Sequence, residues 1–502
     1  MLKGEGGRLD DGPVDLLIVG GGINGAGIAR DSAGRGLSVM LVEKDDLAGH
    51  TSSASSKLVH GGLRYLEQFE FRLVQESLAE RERLLRAAPH IVEPLQFVLP
   101  LARYSRPGWM VRAGLFFYDR LAGRNILPGS RSVRLDGGLG AGLRPGISKA
   151  FTYWDCKVQD SRLVMLNAID AAERGARILT RTELLEARRE RGAWTARLRG
   201  TDGERTVRAR ALVNAAGPWA AELFDRLSGV QRHRRIRLVK GSHVVLRKLY
   251  PGEHAFILQN QDGRVVFAIP FEGEFTLVGT TDVEWNGPPG EAEISEEEID
   301  YLLGTIGRNF GASATRRDIV WSYSGVRGLV EDGSSNVSRV TRDYVLDLDG
   351  REDAPLLSVF GGKLTTYRSL AEGALDRLAS HFPCAGGAWT DRVALPGGDV
   401  PDLDLRSYAR ALSERHGQLS PDLLHRLART YGTRVERLLE GVRSSVDLGE
   451  DFGAGLHARE VDYLVANEWA RTAKDILFRR TKLGLRVSQG GIDRLNAYLA
   501  SI

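Results

Sequence analysis

Apolar positions in this chain fall into two patterns: short unbroken runs, and longer stretches with helical spacing. Residues Asp15–Val19 (DLLIV) are almost wholly apolar and close on a glycine, as a strand buried on both faces of a parallel sheet does. Residues Ile23–Arg35 then carry helical spacing up to Gly36, and Ser38–Val42 is a second buried run that stops at Glu43. Further helices are predicted over 72–90, closed near Pro89, and over Asp160–Ala172, with Asp160 as N-cap. Ala176–Leu179, Ala193–Leu198 and Ala211–Val213 read as strands. Between 235 and 320 apolar strands such as Val244–Leu246 and Val265–Ile269 recur, which predicts an antiparallel sheet. From Gly386 onward the pattern is charged and helical, so an all-helical third unit is expected. The expected units are 14–90, 151–230 and 320–385 as one discontinuous domain, 91–150 with 235–319 as a second, and 386–502 as the third. Met1–Gly12 reads as a loose tail, and no internal repeat is visible.

Between the first strand and its helix stands Gly20-Gly21-Gly22-Ile23-Asn24-Gly25, which contains GxGxxG. In a dinucleotide cradle Gly20 makes the tight turn, Gly22 lets a pyrophosphate approach the backbone, and Gly25 lets the helix pack on the strand. The helix N-terminus stabilises phosphate charge, and Glu43, at the end of the second strand, is placed to accept from a ribose diol. Strand, loop, helix and acid in this order predict a Rossmann-type α/β unit. The motif does not separate FAD from NAD. The hydroxyl-rich run Thr51–Lys57, with Ser52, Ser53 and Ser56, supplies small donors for the rest of a long dinucleotide, or is a solvated loop.

Composition narrows the field further. The 502 residues are 42% hydrophobic and 27% charged with a net charge of +4, an ordinary globular balance that permits anionic partners without requiring them. Two cysteines, Cys156 and Cys384, make neither a disulfide scaffold nor a metal cluster, so no metal is expected and a reducing compartment is the default. No run of about 18 apolar residues predicts a membrane-spanning helix.

The stretch from Gly20 through Leu58-Val59-His60-Gly61-Gly62-Leu63-Arg64-Tyr65-Leu66 resembles the flavin-dependent glycerol-3-phosphate dehydrogenases, within the superfamily typified by D-amino-acid oxidase. Leu212–Trp219, Val239–His243, Val278–Asp282, Tyr323–Arg327, Ser358–Tyr367, Glu468–Asp475 and Arg479–Lys482 resemble the same family, so the likeness spans about 14 to 485. It implies a discontinuous FAD-binding domain, an antiparallel-sheet substrate domain and a helical C-terminal domain. It also implies oxidation of sn-glycerol 3-phosphate to dihydroxyacetone phosphate, with electrons passed to a membrane quinone. The enzyme would then sit on the cytoplasmic side, peripherally on the inner face of the cell membrane. The N-terminal tail, Gly49-His50 and the basic run Arg232–Arg235 depart from the family pattern.

Each motif has a chemical use under that resemblance. Ala215 and Gly217 give a second small-residue loop over the pyrophosphate. Gly361, Gly362, Lys363, Leu364 and Thr365 form a strand–turn–helix junction whose helix end, with Lys363, would stabilise negative charge on reduced flavin. Arg64 and Arg327 are the first candidates for the substrate phosphate because guanidinium matches phosphate oxygens, with Tyr65, Lys240 and Thr280 behind them. His60, four residues before Arg64, is the first candidate for the base at the substrate hydroxyl, and His243 the second.

The aromatic stretch 109–121, flanked by Arg103, Arg106 and Arg124, places Trp109, Met110, Ala113, Phe116 and Phe117 on one helical face that either meets a membrane interface or is buried, and Arg120 interrupts it. The basic run at 232–235 is too short to imply nucleic acid, and no nucleic-acid partner is expected. A second copy of the chain, as a homodimer, stays open. Competing readings are an oxygen-using oxidase, an amine or amino-acid oxidase, a non-catalytic or tRNA-modifying flavoprotein, and an NAD enzyme.

Overall fold

The computed structural model describes residues 12–502 except 103–104, 122, 124–125, 136, 231–233, 332–342 and 351–352. Arg103, Arg124, Arg232, His233 and most of the N-terminal tail therefore lie outside the described residues.

The first apolar run is the strand Val14–Val19 (β1), the helix behind it is Ile23–Gly34 (α1), and the second run is Val39–Val42 (β2). β1 lies between β2 and Gly203–Asn214, parallel to both, and Leu356–Phe360 runs parallel to Gly203–Asn214 on its far side. Arg177–Leu179 extends the sheet beyond β2, while Glu183–Glu190 and Ala193–Gly200 form an antiparallel meander leading into Gly203–Asn214. α1, Asp160–Glu173 and Tyr367–Leu378 cover one face, and Leu184, Trp194, Leu198 and Leu223 pack with the residues of the other, so the apolar runs are buried from both sides. Asp160 is not the N-cap of its helix: Gln159 holds that position. The Asp160 carboxylate is instead the buried partner of Lys57, at 2.8 Å, and of Lys482, at 3.5 Å.

The second sheet is built around Ile236–Arg247, which pairs antiparallel with Ile319–Val330 on one side and with Phe275–Gly279 on the other. It continues through Val265–Phe271, Ala255–Gln259, Val92–Pro100 and Lys149–Val158, with Leu58–Val59 at the edge. The sheet is mixed, since Ala255–Gln259 meets Val92–Pro100 in parallel. Lys149–Val158 and Ile319–Val330 thus hydrogen-bond into this sheet, although the sequence pattern groups 151–158 and 320–330 with the nucleotide unit. Both are crossover strands, and periodicity cannot tell which sheet a crossover strand joins.

The C-terminal region is helical around its own apolar cluster, with helices such as Pro421–Tyr431, Ala458–Glu468 and Gln489–Ser501. It is not all-helical, because Asp451–Gly453 and Leu456–His457 form a small hairpin. Its family-like motifs lock it to the nucleotide unit. Arg479 and Arg480 hold the buried Asp46 just beyond β2, and Arg162 is paired with Glu468.

Candidate functional site

A cavity of about 900 Å³ begins at the end of β1, passes between the two sheets, and reaches the helix Gly108–Leu121. At its first end the glycine loop behaves as the spacing predicts. Gly20 has φ +115°, and a Cβ there would meet the Ala215 carbonyl at 2.4 Å. A Cβ on Gly25 would meet the Gly20 carbonyl at 1.9 Å, so Gly25 is a packing glycine behind the cavity wall. Replacing Gly25 by Val is expected to yield a colourless protein, because turn and helix must separate and the cradle opens. Absorbance of the purified variant checks this.

Gly22, Ile23 and Asn24 present the first turn of α1 to the cavity. The Ser52 hydroxyl accepts from Ile23 N–H at 3.0 Å, and the Asn24 amide donates to the Gly361 carbonyl at 3.2 Å, which ties the helix start to the third loop. Glu43 is placed as expected but is partly engaged: it accepts from Gly21 N–H at 2.7 Å and Asp45 N–H at 2.8 Å. Burial pushes its carboxyl above the ordinary range. Each of its oxygens keeps a second lone pair for a ribose hydroxyl. His50 bonds Asp45 at 2.7 Å and packs on Trp219, with Lys44 over the same indole. Glu43, Asp45 and His50 lie within metal-ligating reach of one another, with Glu43 holding the Gly21 and Asp45 N–H groups and His50 bonded to Asp45.

Ala215, Gly217, Gly361, Gly362, Lys363, Leu364 and Thr365 all line the cavity, as do Ser52 and Ser56. Ser53 does not: its hydroxyl turns away to the His50 carbonyl at 3.2 Å, because a 3-10 turn at Thr51–Ser53 rotates successive side chains apart. The helix after the third loop begins at Tyr367, so Lys363–Thr365 form the turn in front of it rather than its first residues.

The same cavity is lined by His60, Arg64, Tyr65, His243, Thr280, Arg327 and Lys363, which come from separate stretches of chain. The Lys363 ammonium lies 3.9 Å from the Tyr65 ring, and Arg327 is held by Asp282 at 3.1 Å. His243 Nε2 is 2.9 Å from the Ser56 hydroxyl, and its ring stacks on Tyr323 at 4.9 Å. Burial, then Lys57 and Arg327, push the His243 imidazole down to about 3, so it is neutral at ordinary pH. Lys240 is not in this group. Alternation along Ile236–Arg247 sends Gly241 and His243 to the cavity and Lys240 to the opposite face, where it pairs with Glu298 at 2.9 Å and donates to the Glu293 carbonyl. Sequence reasoning missed Asp282 and Tyr323, which stand inside family-like motifs. It also missed Thr182, Glu183 and Leu184, which close the cavity near Glu43 and carry no motif.

The residues fit a dinucleotide: small-residue loops leave room for a pyrophosphate, a helix start faces it, and a carboxylate stands at the ribose position. Comparison with known proteins agrees. The family described as FAD dependent oxidoreductase matches residues 15–368, and the C-terminal domain of alpha-glycerophosphate oxidase matches 388–500. A glycerol-3-phosphate dehydrogenase of Pseudomonas aeruginosa is 54% identical over 97% of this chain and 95% of its own. A D-erythritol 1-phosphate dehydrogenase of Brucella abortus is 51% identical over 95% of each. Among solved structures, glycerol-3-phosphate dehydrogenase from Bacillus halodurans complexed with FAD superposes with a TM-score of 0.75 at 28% identity, covering 94% of this chain and 86% of that one.

Proposed function

Because the chain belongs to the FAD-dependent oxidoreductase family and carries the glycerophosphate-oxidase type of C-terminal domain, we propose that it oxidises sn-glycerol 3-phosphate to dihydroxyacetone phosphate and delivers the electrons to a membrane quinone. The observation that carries the substrate assignment is that Arg64, Arg327 and Lys363 line the same cavity as the dinucleotide loops, together with His60 and His243. A phosphate dianion is matched by two guanidinium groups and an ammonium. Bound FAD supplies the hydride acceptor. The chain's own part is to hold the phosphate on Arg64 and Arg327, to receive the C2 hydroxyl proton on His60, and to place Tyr65 and Thr280 against the remaining oxygens. Lys363, beside the Tyr65 ring, adds positive charge to the same end of the cavity.

Anaerobic titration of the purified protein with sn-glycerol 3-phosphate tests this. The flavin absorbance near ~450 nm, the cofactor's own band, is expected to bleach and to return on adding a quinone. A yellow protein that does not bleach refutes the substrate. The Brucella relative makes a longer polyol phosphate the second reading. A higher kcat/KM with D-erythritol 1-phosphate than with glycerol 3-phosphate would establish it. Stoichiometric peroxide in air would instead identify an oxidase.

The acceptor assignment is supported by the helix Gly108–Leu121. Val111, Leu115 and Tyr118 are buried, while Trp109 is 76% exposed and Met110, Phe116 and Phe117 are exposed beside it. Phe69, 79% exposed, and Phe71 extend the patch, and Arg120 lies over the Phe116 ring rather than breaking the face. The cavity that holds the substrate groups also reaches Trp109, Met110, Ala113 and Phe117, which gives a lipophilic acceptor a route in from a membrane surface. No described helix is long and apolar enough to cross a membrane; the contact proposed is peripheral, through this exposed aromatic face, on the cytoplasmic side. Changing Trp109 and Phe117 together to Ser is expected to abolish co-sedimentation with anionic vesicles and quinone reduction, with flavin bleaching by substrate retained.

A further inference from the structure

We propose that Tyr118, Asp155 and Arg81 form a buried support that positions the His60–Gly61 peptide, and through it the His60 imidazole, for removal of the substrate proton. This role rests on the assignment of His60 as base above. The backbone N–H of Gly61 donates to the Tyr118 hydroxyl at 2.9 Å. That hydroxyl lies 2.8 and 2.7 Å from the two Asp155 oxygens, and Arg81 donates to Asp155 at 2.7 Å and to the Trp154 carbonyl at 3.0 Å. A phenol has one hydrogen. The hydroxyl that accepts from Gly61 therefore gives its proton to Asp155, and the chain of donors has one sense, from the peptide toward the carboxylate.

None of the three side chains lines the cavity, so none is spent on substrate or dinucleotide. They reach the peptide from three elements: the helix Phe71–Ala87, the helix Gly108–Leu121 and the strand Lys149–Val158. All are buried, and Tyr118 packs inside a cluster that includes Leu78, Phe97 and Tyr153. An ion pair in such surroundings costs desolvation that an apolar trio would avoid, so its use lies in the backbone it fixes: the Trp154 carbonyl through Arg81, and Gly61 N–H, which also lies 3.4 Å from Asp155 Oδ1. Thr365 holds His60 from the other side: its hydroxyl accepts from His60 N–H, in the preceding peptide, at 3.3 Å and lies 3.5 Å from the His60 carbonyl. Residue 61 has no space for a side chain: a Cβ would stand 2.5 Å from Leu78 and 2.6 Å from the Tyr118 oxygen. The backbone on both sides of the base is thus held by hydroxyls, Thr365 before it and Tyr118 after it, and a displacement near 1 Å of a reacting group costs roughly 10²-fold in rate.

The test is Tyr118→Phe in the holoenzyme, which keeps the ring and removes the hydroxyl. Flavin reduction at saturating sn-glycerol 3-phosphate is expected to slow by roughly ten- to a hundredfold. The substrate concentration giving half-maximal rate should stay within about twofold, because the phosphate groups are untouched. Amide hydrogen exchange at Gly61 should speed up with or without substrate. A variant that reduces at the wild-type rate, or leaves Gly61 exchange unchanged, overturns the proposal, as does a loss confined to the half-saturating concentration. Should Tyr118→Phe not hold FAD, Arg81→Lys, which keeps the charge under Asp155, takes its place in the same two measurements: slower reduction with faster Gly61 exchange supports the proposal, and no change in either overturns it. If wild-type flavin is not bleached by this substrate, the functional reading fails while Gly61 exchange still judges the support.

Discussion

With His60 as the proposed base, His60→Asn is expected to slow flavin reduction by sn-glycerol 3-phosphate by roughly 10²–10⁴-fold, the usual worth of a positioned general base. FAD is expected to stay bound, because the substitution leaves the loops Gly20–Asn24 and Gly361–Thr365 intact and the contacts of His60 with Thr365 are made by its backbone. The reason for so large an effect is that a hydride leaves C2 readily only as its hydroxyl proton leaves, and a carboxamide cannot take that proton. The measurement is single-turnover reduction in a stopped-flow instrument. His243→Asn is the control. Its ring is pinned between Ser56 and Tyr323 and kept neutral by burial, Lys57 and Arg327, so it is expected to slow reduction less. The reverse order, with His60→Asn within about threefold of wild type rather than the loss expected of a general base, would transfer the base role to His243.

With Arg327 as a proposed phosphate ligand, Arg327→Met is expected to lower kcat/KM by roughly 10²-fold or more, chiefly by raising KM, since it would lose two charged hydrogen bonds. A hydrogen bond to a charged group contributes about 1.5–3 kcal/mol, and a forked guanidinium makes two to a phosphate. The substitution also leaves Asp282, now paired with Arg327 at 3.1 Å, as an uncompensated anion beside the substrate dianion. Arg327→Lys restores only part of the loss, since an ammonium is one point charge without the planar fork. Steady-state kinetics with glycerol 3-phosphate and with glycerol separate the phosphate contribution. An unchanged KM would place the phosphate on Arg64 and Lys363 alone.

Legibility differed between the two halves of the site. The glycine loop was legible because Gly20, Gly25 and Glu43 fall within one strand–helix–strand segment whose geometry the backbone dictates, whereas Ala215 and Gly361 come to it from far along the chain. Ser53 was misplaced only because a single 3-10 turn reverses which hydroxyls face inward. At the substrate end Lys240 was misassigned because a strand residue's face depends on the partner strands, and its partner, Glu298, comes from a helix far along the chain. Asp160 looked like a helix cap from its neighbours and proved to be the counter-ion of Lys57 and Lys482, the second of which arrives from the C-terminal unit.

By itself the amino-acid order determined the nucleotide-binding segment, the alternation of helices and strands around it, and the short motifs that carry chemistry, since each depends on interactions over a turn or two of chain. Only the tertiary structure decided which sheet takes Lys149–Val158 and Ile319–Val330, which face of Gly108–Leu121 stays exposed, and which cations meet in one cavity. Those outcomes depend on long-range packing: a buried strand pairs with whichever edge the crossover presents, and a charged side chain settles beside the counter-ion that folding brings to it.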